Sequence, residues 1–385
     1  MKNPNENPKH ILLKEAFRIF SRNIKTKIKG LEIYSGNDEE ICKSIINSCY
    51  DSKNKYFQAS AGNYKAFYAR DFGWCIESLM RLGYAKEIHN TLEYALNRYS
   101  QYSGISVAIS CEGIPYNFPN VYSADSTAYM FRCLRISKSK DIILKHRKFL
   151  NKEIAKFEEN VIDKDSGMVK SEVFSGMRDH VMCKASGYDM IMACMLCNEI
   201  DSINKSMGDG FLNNTLKNYD LEHKLIKHYW TGKYFRDGIG KELCSGHTNV
   251  YPYYLRIIND RNMLKSSIKS IQENMLDKPF PLKYGYDNTT KFIALEFFTR
   301  DWEKDTVWAM LGMAYIEILS RIDKDSSIKA LLKYKRNIEK YKGFTELYTN
   351  KGTPYKSLFY SSDNSMLWAS MYLDLKHRLK KTDKK

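Results

Sequence analysis

RDFGWCIESLMRLGYAKEIHNTLEYAL, residues 70–96, reads as two helices joined by almost nothing. The first, 70–83, is apolar around most of its surface, which marks a helix buried on most sides. Only Gly83-Tyr84 separates it from a second helix over 85–102. A connection this short makes antiparallel neighbours. The stretch is therefore one helical hairpin with a buried arm and a superficial arm.

Working outward, helical periodicity and start and stop signals predict a short N-terminal helix over 8–24 and twelve main helices. These fall at 37–51, 70–83, 85–102, 123–137, 140–160, 180–200, 203–229, 247–258, 260–276, 302–322, 325–341 and 361–380. Very short connections (Gly83-Tyr84, Ser137-Lys138, Asp201-Ser202) alternate with long ones. The second helix of this series and every second one after it begin near 71, 125, 180, 248, 305 and 363, a quasi-period of one hairpin. They are also the apolar helices: DSTAYMFRCL, YDMIMACMLC, NVYPYYLRII, DTVWAMLGMAYIEIL and DNSMLWASMYLDL follow the first. KDIILKHRKFLNKEIAKFEEN, by contrast, is amphipathic. Six buried helices ringed by six outer ones predict an all-α fold, an (α/α)6 toroid with short β-turn connectors. An open α-solenoid is the alternative, and it would leave one inner face exposed. The expected organisation is a basic helix or tail at 1–30, the toroid at 31–375 and a basic tail at 376–385.

Composition narrows the function classes. The chain has 385 residues, 61 basic against 45 acidic, and a formal charge of +16. Residues 1–30 hold net +6 and residues 376–385 net +5, so charge sits in the tails rather than over a folded face. A nucleic-acid binder concentrates it on such a face, and a lysine-rich, soluble composition is the reading here. The longest unbroken apolar run, Met190 to Cys197, is far short of the ~20 residues that span a bilayer. No secretory signal pattern opens the sequence. Nine scattered cysteines fit a reducing compartment, so a cytoplasmic protein with neither nucleic-acid nor membrane partner is expected. Cys194 and Cys197 lie one turn apart on a helix without a second ligand pair, and His180 and His247 lack a ligand at i+4. No metal or organic cofactor is expected.

Each long loop runs into its apolar helix through polar residues: Tyr68-Ala69-Arg70-Asp71, Tyr122-Ser123-Ala124-Asp125, Met177-Arg178-Asp179-His180, Gly246-His247-Thr248-Asn249, Asp301-Trp302-Glu303-Lys304-Asp305 and Ser361-Ser362-Asp363-Asn364. Asp, Ser and Thr cap helix N-termini, and capping accounts for Asp305, Asp363 and Thr248. It does not call for an arginine beside Asp71. Nor does it explain the aromatics that gather there, among them Tyr68, Trp74, Tyr122, Trp302 and Trp308. Carboxylates accept from hydroxyls and flat rings cover the C–H faces of pyranoses. Acids and rings converging on one mouth suit a sugar, an oligosaccharide or disaccharide.

YKAFYARDFGWCIESLMRLGYAKEIHNTLEYAL (64–96) resembles the segment that opens the toroid in six-hairpin glycosidases. That group includes glucoamylases, the glucosidase domain of glycogen debranching enzymes and neutral invertases. VYSADSTAYMFRCL resembles their next inner-helix start, and GFTELYTNKGTPYKSLFYSSDNSMLWASMYLDL their last hairpin. The resemblance spans roughly 37–375 and implies a general acid before the third inner helix, here Asp179, and a general base in the last hairpin, here Glu346. It places Arg70 and Asp71 on the hydroxyls of the terminal sugar and Asp125 at the second rim position. Tyr68, Trp74, Tyr122, His180, Tyr188, His247, Trp302 and Trp308 complete the expected substrate contacts. The family usually has Trp-x-Asp/Glu at the acid, where this chain has Met177-Arg178-Asp179. An adjacent arginine would hold the acid's pKa down, and Asp189 is then the fallback.

The expected reaction is inverting, exo-acting hydrolysis of α-glucosides such as starch, glycogen, trehalose or sucrose, with one carboxyl protonated and the other ionised. Two readings compete. A sugar epimerase or unsaturated-uronide hydrolase keeps the toroid, and an epimerase wants histidines such as His180 and His247 as acid and base. A non-enzymatic basic scaffold predicts that Asp71, Asp179 and Glu346 do not converge.

Overall fold

A computed structural model describes residues 9–102 and 104–381. Its helices are α1 (Lys9–Lys29), α2 (Asp38–Ser48), α3 (Ala69–Arg81), α4 (Ala85–Gln101), α5 (Ala124–Ser137), α6 (Lys140–Lys145), α7 (Arg147–Val161), α8 (Gly187–Met207), α9 (Leu221–Tyr229), α10 (Gly246–Tyr254), α11 (Arg261–Glu273), α12 (Leu295–Phe298), α13 (Ala309–Leu319), α14 (Lys324–Tyr341) and α15 (Ala369–Lys381). α3 packs on α5, α5 on α8, α8 on α10, α10 on α13, α13 on α15, and α15 back on α3. These six contact one another in a closed cycle. Around it α4, α6–α7, α9, α11, α14 and α2 each pack on the ring helix they are paired with.

Burial explains the division. Every residue of α5 from Ala124 to Leu134 is buried, as a helix with neighbours on all sides requires. Its one buried arginine, Arg132, is paired with Glu77 and Glu199, so the charge is not orphaned. α14 buries only Ser327, Leu331, Tyr334 and Ile338, one stripe. At Gly312 a side chain would clash with the Pro281 carbonyl oxygen and the Tyr334 hydroxyl, so ring and outer layer approach closely there.

A second closure runs through the loops. The residues leading into each ring helix pair with the next long loop. Phe67–Tyr68 pair with Ala108–Ile109, Ser123 with Ser175, and Ser186 with Gly238. The Gly246 amide donates to the Tyr284 carbonyl at 2.7 Å, and Val307–Trp308 pair with Leu347–Tyr348. Met366 then pairs back with Ser60. The loops thus form a stitched collar at one end of the ring. α1 lies across this collar, with Ile11 buried near Val107, Ala108 and Tyr116, and Arg22 reaching Asn63 and Asp363. The predicted N-terminal segment is in part this helix; residues 1–8 lie outside the described residues. The predicted C-terminal tail starts as the last turns of α15, where Lys376 meets Asp38 at 2.5 Å, and 382–385 are likewise outside.

Three predicted helix starts move. The third ring helix begins at Gly187 rather than 180, the fifth at Ala309 rather than 302, and the sixth at Ala369 rather than 361. The residues before them are extended and paired: Val181 with Phe292, Val307 with Tyr348, Ser365 with Phe344. Asp201-Ser202 is no turn, because α8 runs on to Met207 with Ile203 and Asn204 buried. The predicted helix 140–160 breaks at His146, and 203–229 is reduced to a 3-10 turn, Thr215–Tyr219, and α9. Asp363 and Asp305 are not caps either. Asp363 accepts from the Ser365 amide and the Ser60 hydroxyl, and Asp305 pairs with Lys283. Thr248 lies inside α10 and bonds Ser245.

Candidate active site

Within the collar, Arg70 is the centre of an acidic cluster. It stands in the first turn of α3, fully packed, with its Nε 2.7 Å from Asp125 Oδ2 and its Nη1 3.5 Å from Asp179 Oδ1. Tyr188, in the first turn of α8, donates to Asp125 at 3.2 Å. Asp71 accepts from the Trp368 indole at 3.1 Å. Burial pushes the Asp71 carboxyl up to about 7, against the opposing pull of Arg70. Asp179 is also raised, by burial, with Arg70 opposing. Its side chain is 38% exposed, whereas Asp125 is fully buried and Asp71 is half-buried.

Asp179 and His180 precede α8 by several residues, so neither caps it. Ser186 does, accepting from the Asp189 amide at 3.0 Å and donating to the Asp189 carboxylate at 2.6 Å. Asp189 is buried and pushed up to about 7 by desolvation. The 179–180 backbone is held instead by Glu303, whose carboxylate accepts both amides, at 2.6 and 3.0 Å. Arg178 does not face Asp179. Its guanidinium donates to the Glu303 carbonyl and lies 5.3 Å from the Tyr284 ring centre. The neighbouring arginine therefore does not depress the acid; Arg70 is the cation beside it.

Glu346 precedes the Leu347–Tyr348 strand of the collar and is 2% exposed. Oε1 accepts from Tyr64 at 3.1 Å, and Oε2 from Tyr360 and from the Asp363 amide at 3.1 Å. Burial pushes it up to about 8 despite these donors. A chain of rings joins it to the acidic cluster. His180 stacks on Trp302 at 5.7 Å, and Trp302 meets the Tyr360 ring at 4.3 Å. His180 also contacts Glu296 at 2.8 Å. Burial works against its protonation, but the carboxylates around it outweigh that and raise its pKa.

The remaining expected contacts divide. Trp302 and Trp308 pack together at the ring chain, 5.4 Å apart. Tyr68 bonds Tyr116 at 2.9 Å, near α1. Trp74 is buried, donates to Tyr129 at 2.9 Å and packs on Trp368, a core arrangement. Tyr122 faces the outer layer, with Lys156 5.8 Å from its ring centre. His247 is buried between Tyr188 and Tyr284, 3.5 Å from Asp237, and burial pushes it down to about 4. Sequence reasoning did not single out Glu303, Glu296, Tyr360 or Trp368. Only Glu303 carried a signal, an acid beside the tryptophan of its lead-in.

No family model matches the chain, and no curated protein matches it in sequence. Solved structures do match its fold. A wild-type glycosidase has a TM-score of 0.64 at 10% identity, over 89% of this chain and 97% of that one. The GH63 mannosylglycerate hydrolase from Thermus thermophilus has 0.58 at 9%, over 88% and 100%. The GH78 rhamnosidase of Bacillus sp. GL1 has 0.61 at 12%, over 89% of this chain and 34% of that one. At these identities the likeness is one of fold. The chain shares its helical architecture with these glycosidases.

Proposed function

We propose that this chain is an (α/α)6 toroid enzyme that hydrolyses a terminal glycosidic bond with inversion, Asp179 acting as general acid and Glu346 as general base. The observation that carries this reading is the linked pair. One carboxyl is partly exposed beside Arg70, and a second, remote in sequence, is linked to its neighbour His180 through the Trp302 and Tyr360 rings. The pairing of Asp125 and Asp179 with Arg70 is a buried acidic site that a basic scaffold does not call for. In the reaction, Asp179 gives its proton to the departing glycosidic oxygen. A water attacks the anomeric carbon from the other face and yields its proton to Glu346. Arg70 and Asp71 would grip the hydroxyls of the terminal sugar, and Trp302 would cover a C–H face. The glycosidases of like fold include ones bound to glucose and to rhamnose, and an α-glucoside remains the leading substrate class.

One observation favours the same pair with roles exchanged. Burial leaves Glu346 protonated near neutrality, while Arg70 opposes protonation of Asp179. A glycosyl fluoride separates the two, because its leaving group needs no acid. Maltose, isomaltose, trehalose and sucrose would first be screened, with the product anomer read by NMR. If Asp179 is the acid, Asp179→Ala keeps hydrolysis of the matching fluoride and Glu346→Ala loses it. The reverse pattern exchanges the roles, and retention of both activities in both variants removes the pair from the mechanism.

A further inference from the structure

Half of the large exposed apolar side chains among the described residues lie on α1, just after it, or on the loop it crosses. On α1 they are Leu13, Phe17, Phe20, Ile24 and Ile28, spaced 4, 3, 4 and 4 residues apart. At 100° per residue these five occupy an arc of about 80°. The opposite face of the helix is the one bound to the collar, through Ile11, Arg22 and Asn23. The stripe therefore points outward, with Leu13, Phe17 and Ile28 71%, 72% and 77% exposed. Leu358 and Phe359 continue it, the Phe20 and Phe359 rings being 6.4 Å apart.

Between the stripe and the collar-bound face, α1 is predominantly basic. A cleft of about 620 Å³ between α1 and residues 61–65 is lined by Arg18, Arg22, Lys25, Lys29 and Lys65, with Glu32 as its only acid. Arg18 and Arg22 are held by Glu15 and Asp363. Lys25, Lys29 and Lys65 have no ion-pair partner among the described residues.

We propose that α1 is an interfacial helix that docks this chain on an anionic lipid bilayer. The stripe enters the boundary between headgroups and acyl chains, and the basic cleft meets headgroup phosphates. An outward apolar stripe flanked by lysine and arginine is the pattern of helices that lie in such a boundary. No described helix is long and apolar enough to cross a membrane, so α1 lies on the surface. Charge selects this occupant over a second copy, since pairing two α1 helices would set net +6 against net +6. Neither the stripe nor the cleft contains Asp179 or Glu346, and the proposal stands whether or not the chain is a hydrolase.

Flotation of the full chain with phosphatidylcholine vesicles, with and without a quarter phosphatidylglycerol, tests it. The chain is expected to float with the anionic vesicles only and to release as salt rises. Phe17→Ser combined with Ile28→Ser is expected to weaken partitioning by about tenfold or more. Lys25→Glu combined with Lys29→Glu is expected to do the same while leaving the stripe intact. All four side chains are exposed or at the cleft edge, so thermal melts should match the parent. Absence of flotation, or flotation unchanged in both variants, overturns the proposal. So does a concentration-dependent dimer that the Phe17/Ile28 variant dissolves, which would assign the stripe to self-contact.

Discussion

Glu346 is held by three donors on two oxygens, an arrangement that keeps the carboxylate fixed even as burial raises its pKa. Glu346→Gln removes the charge but little volume. It is expected to abolish turnover and to leave sugar affinity within about twofold, read by calorimetry beside progress curves. Wild-type turnover in that variant would remove Glu346 from the chemistry. Asp71→Asn keeps an oxygen for the Trp368 indole, so the fold should persist. Its sugar affinity is expected to drop by about 1–3 kcal/mol, the cost of losing one hydrogen-bond acceptor. An unchanged affinity would leave Asp71 a partner of Trp368 alone. At this scale the sequence was partly legible. Arg70-Asp71 and Glu346 stand in recognisable strings, but the meaning of Glu303 rests on the amides of 179 and 180, more than a hundred residues away. Side-chain acceptors for distant backbone leave no periodic trace.

Helix existence was read from apolar periodicity, because a buried helix must be apolar wherever it has neighbours. The misplaced starts at 180, 302 and 361 share one cause. Val181, Val307 and Ser365 are claimed by pairing with Phe292, Tyr348 and Phe344, and no local pattern announces a partner in another loop. Asp179 consequently belongs to a loop pinned from outside, not to a helix end. The close approach at Gly312 makes a prediction of its own. Gly312→Ala puts a methyl group against the fixed Pro281 carbonyl, and overpacking of this kind costs about 1–3 kcal/mol. Urea unfolding should show the loss. The capping box of α2, in which Asn37 and Glu40 satisfy each other's amides, gives a milder contrast. Asn37→Ala is expected to cost about 1 kcal/mol. A larger loss at Asn37 than at Gly312 would refute the packing argument.

Across the whole molecule, the stitched collar gathers acids that the fold keeps dry. Asp71, Asp189 and Glu303 are each pushed up to about 7, and Glu346 to about 8, with burial the leading cause throughout. In the unfolded chain the same groups titrate near 4. A raised folded pKa means that the native state holds its proton where the unfolded state has lost it. The stability this gives is complete below the unfolded value and disappears as pH climbs through the folded one. His180, also raised, acts in the same direction. His247, lowered to about 4, acts in the opposite direction, but its contribution is complete once pH passes the ordinary histidine value. Across about pH 6.5 to 8.5 the four carboxyls and His180 all act in the same direction, and melting temperature is expected to fall. Most proteins owe acid denaturation to carboxylates that are lowered on folding, so a decline that begins near neutrality has the sign of raised buried carboxyls. Glu303→Gln should flatten the decline, since the amide has no proton to lose and its carbonyl oxygen still accepts from 179 or 180. A melting temperature that stays level or rises over the window would mean that water reaches these carboxyls in the native state.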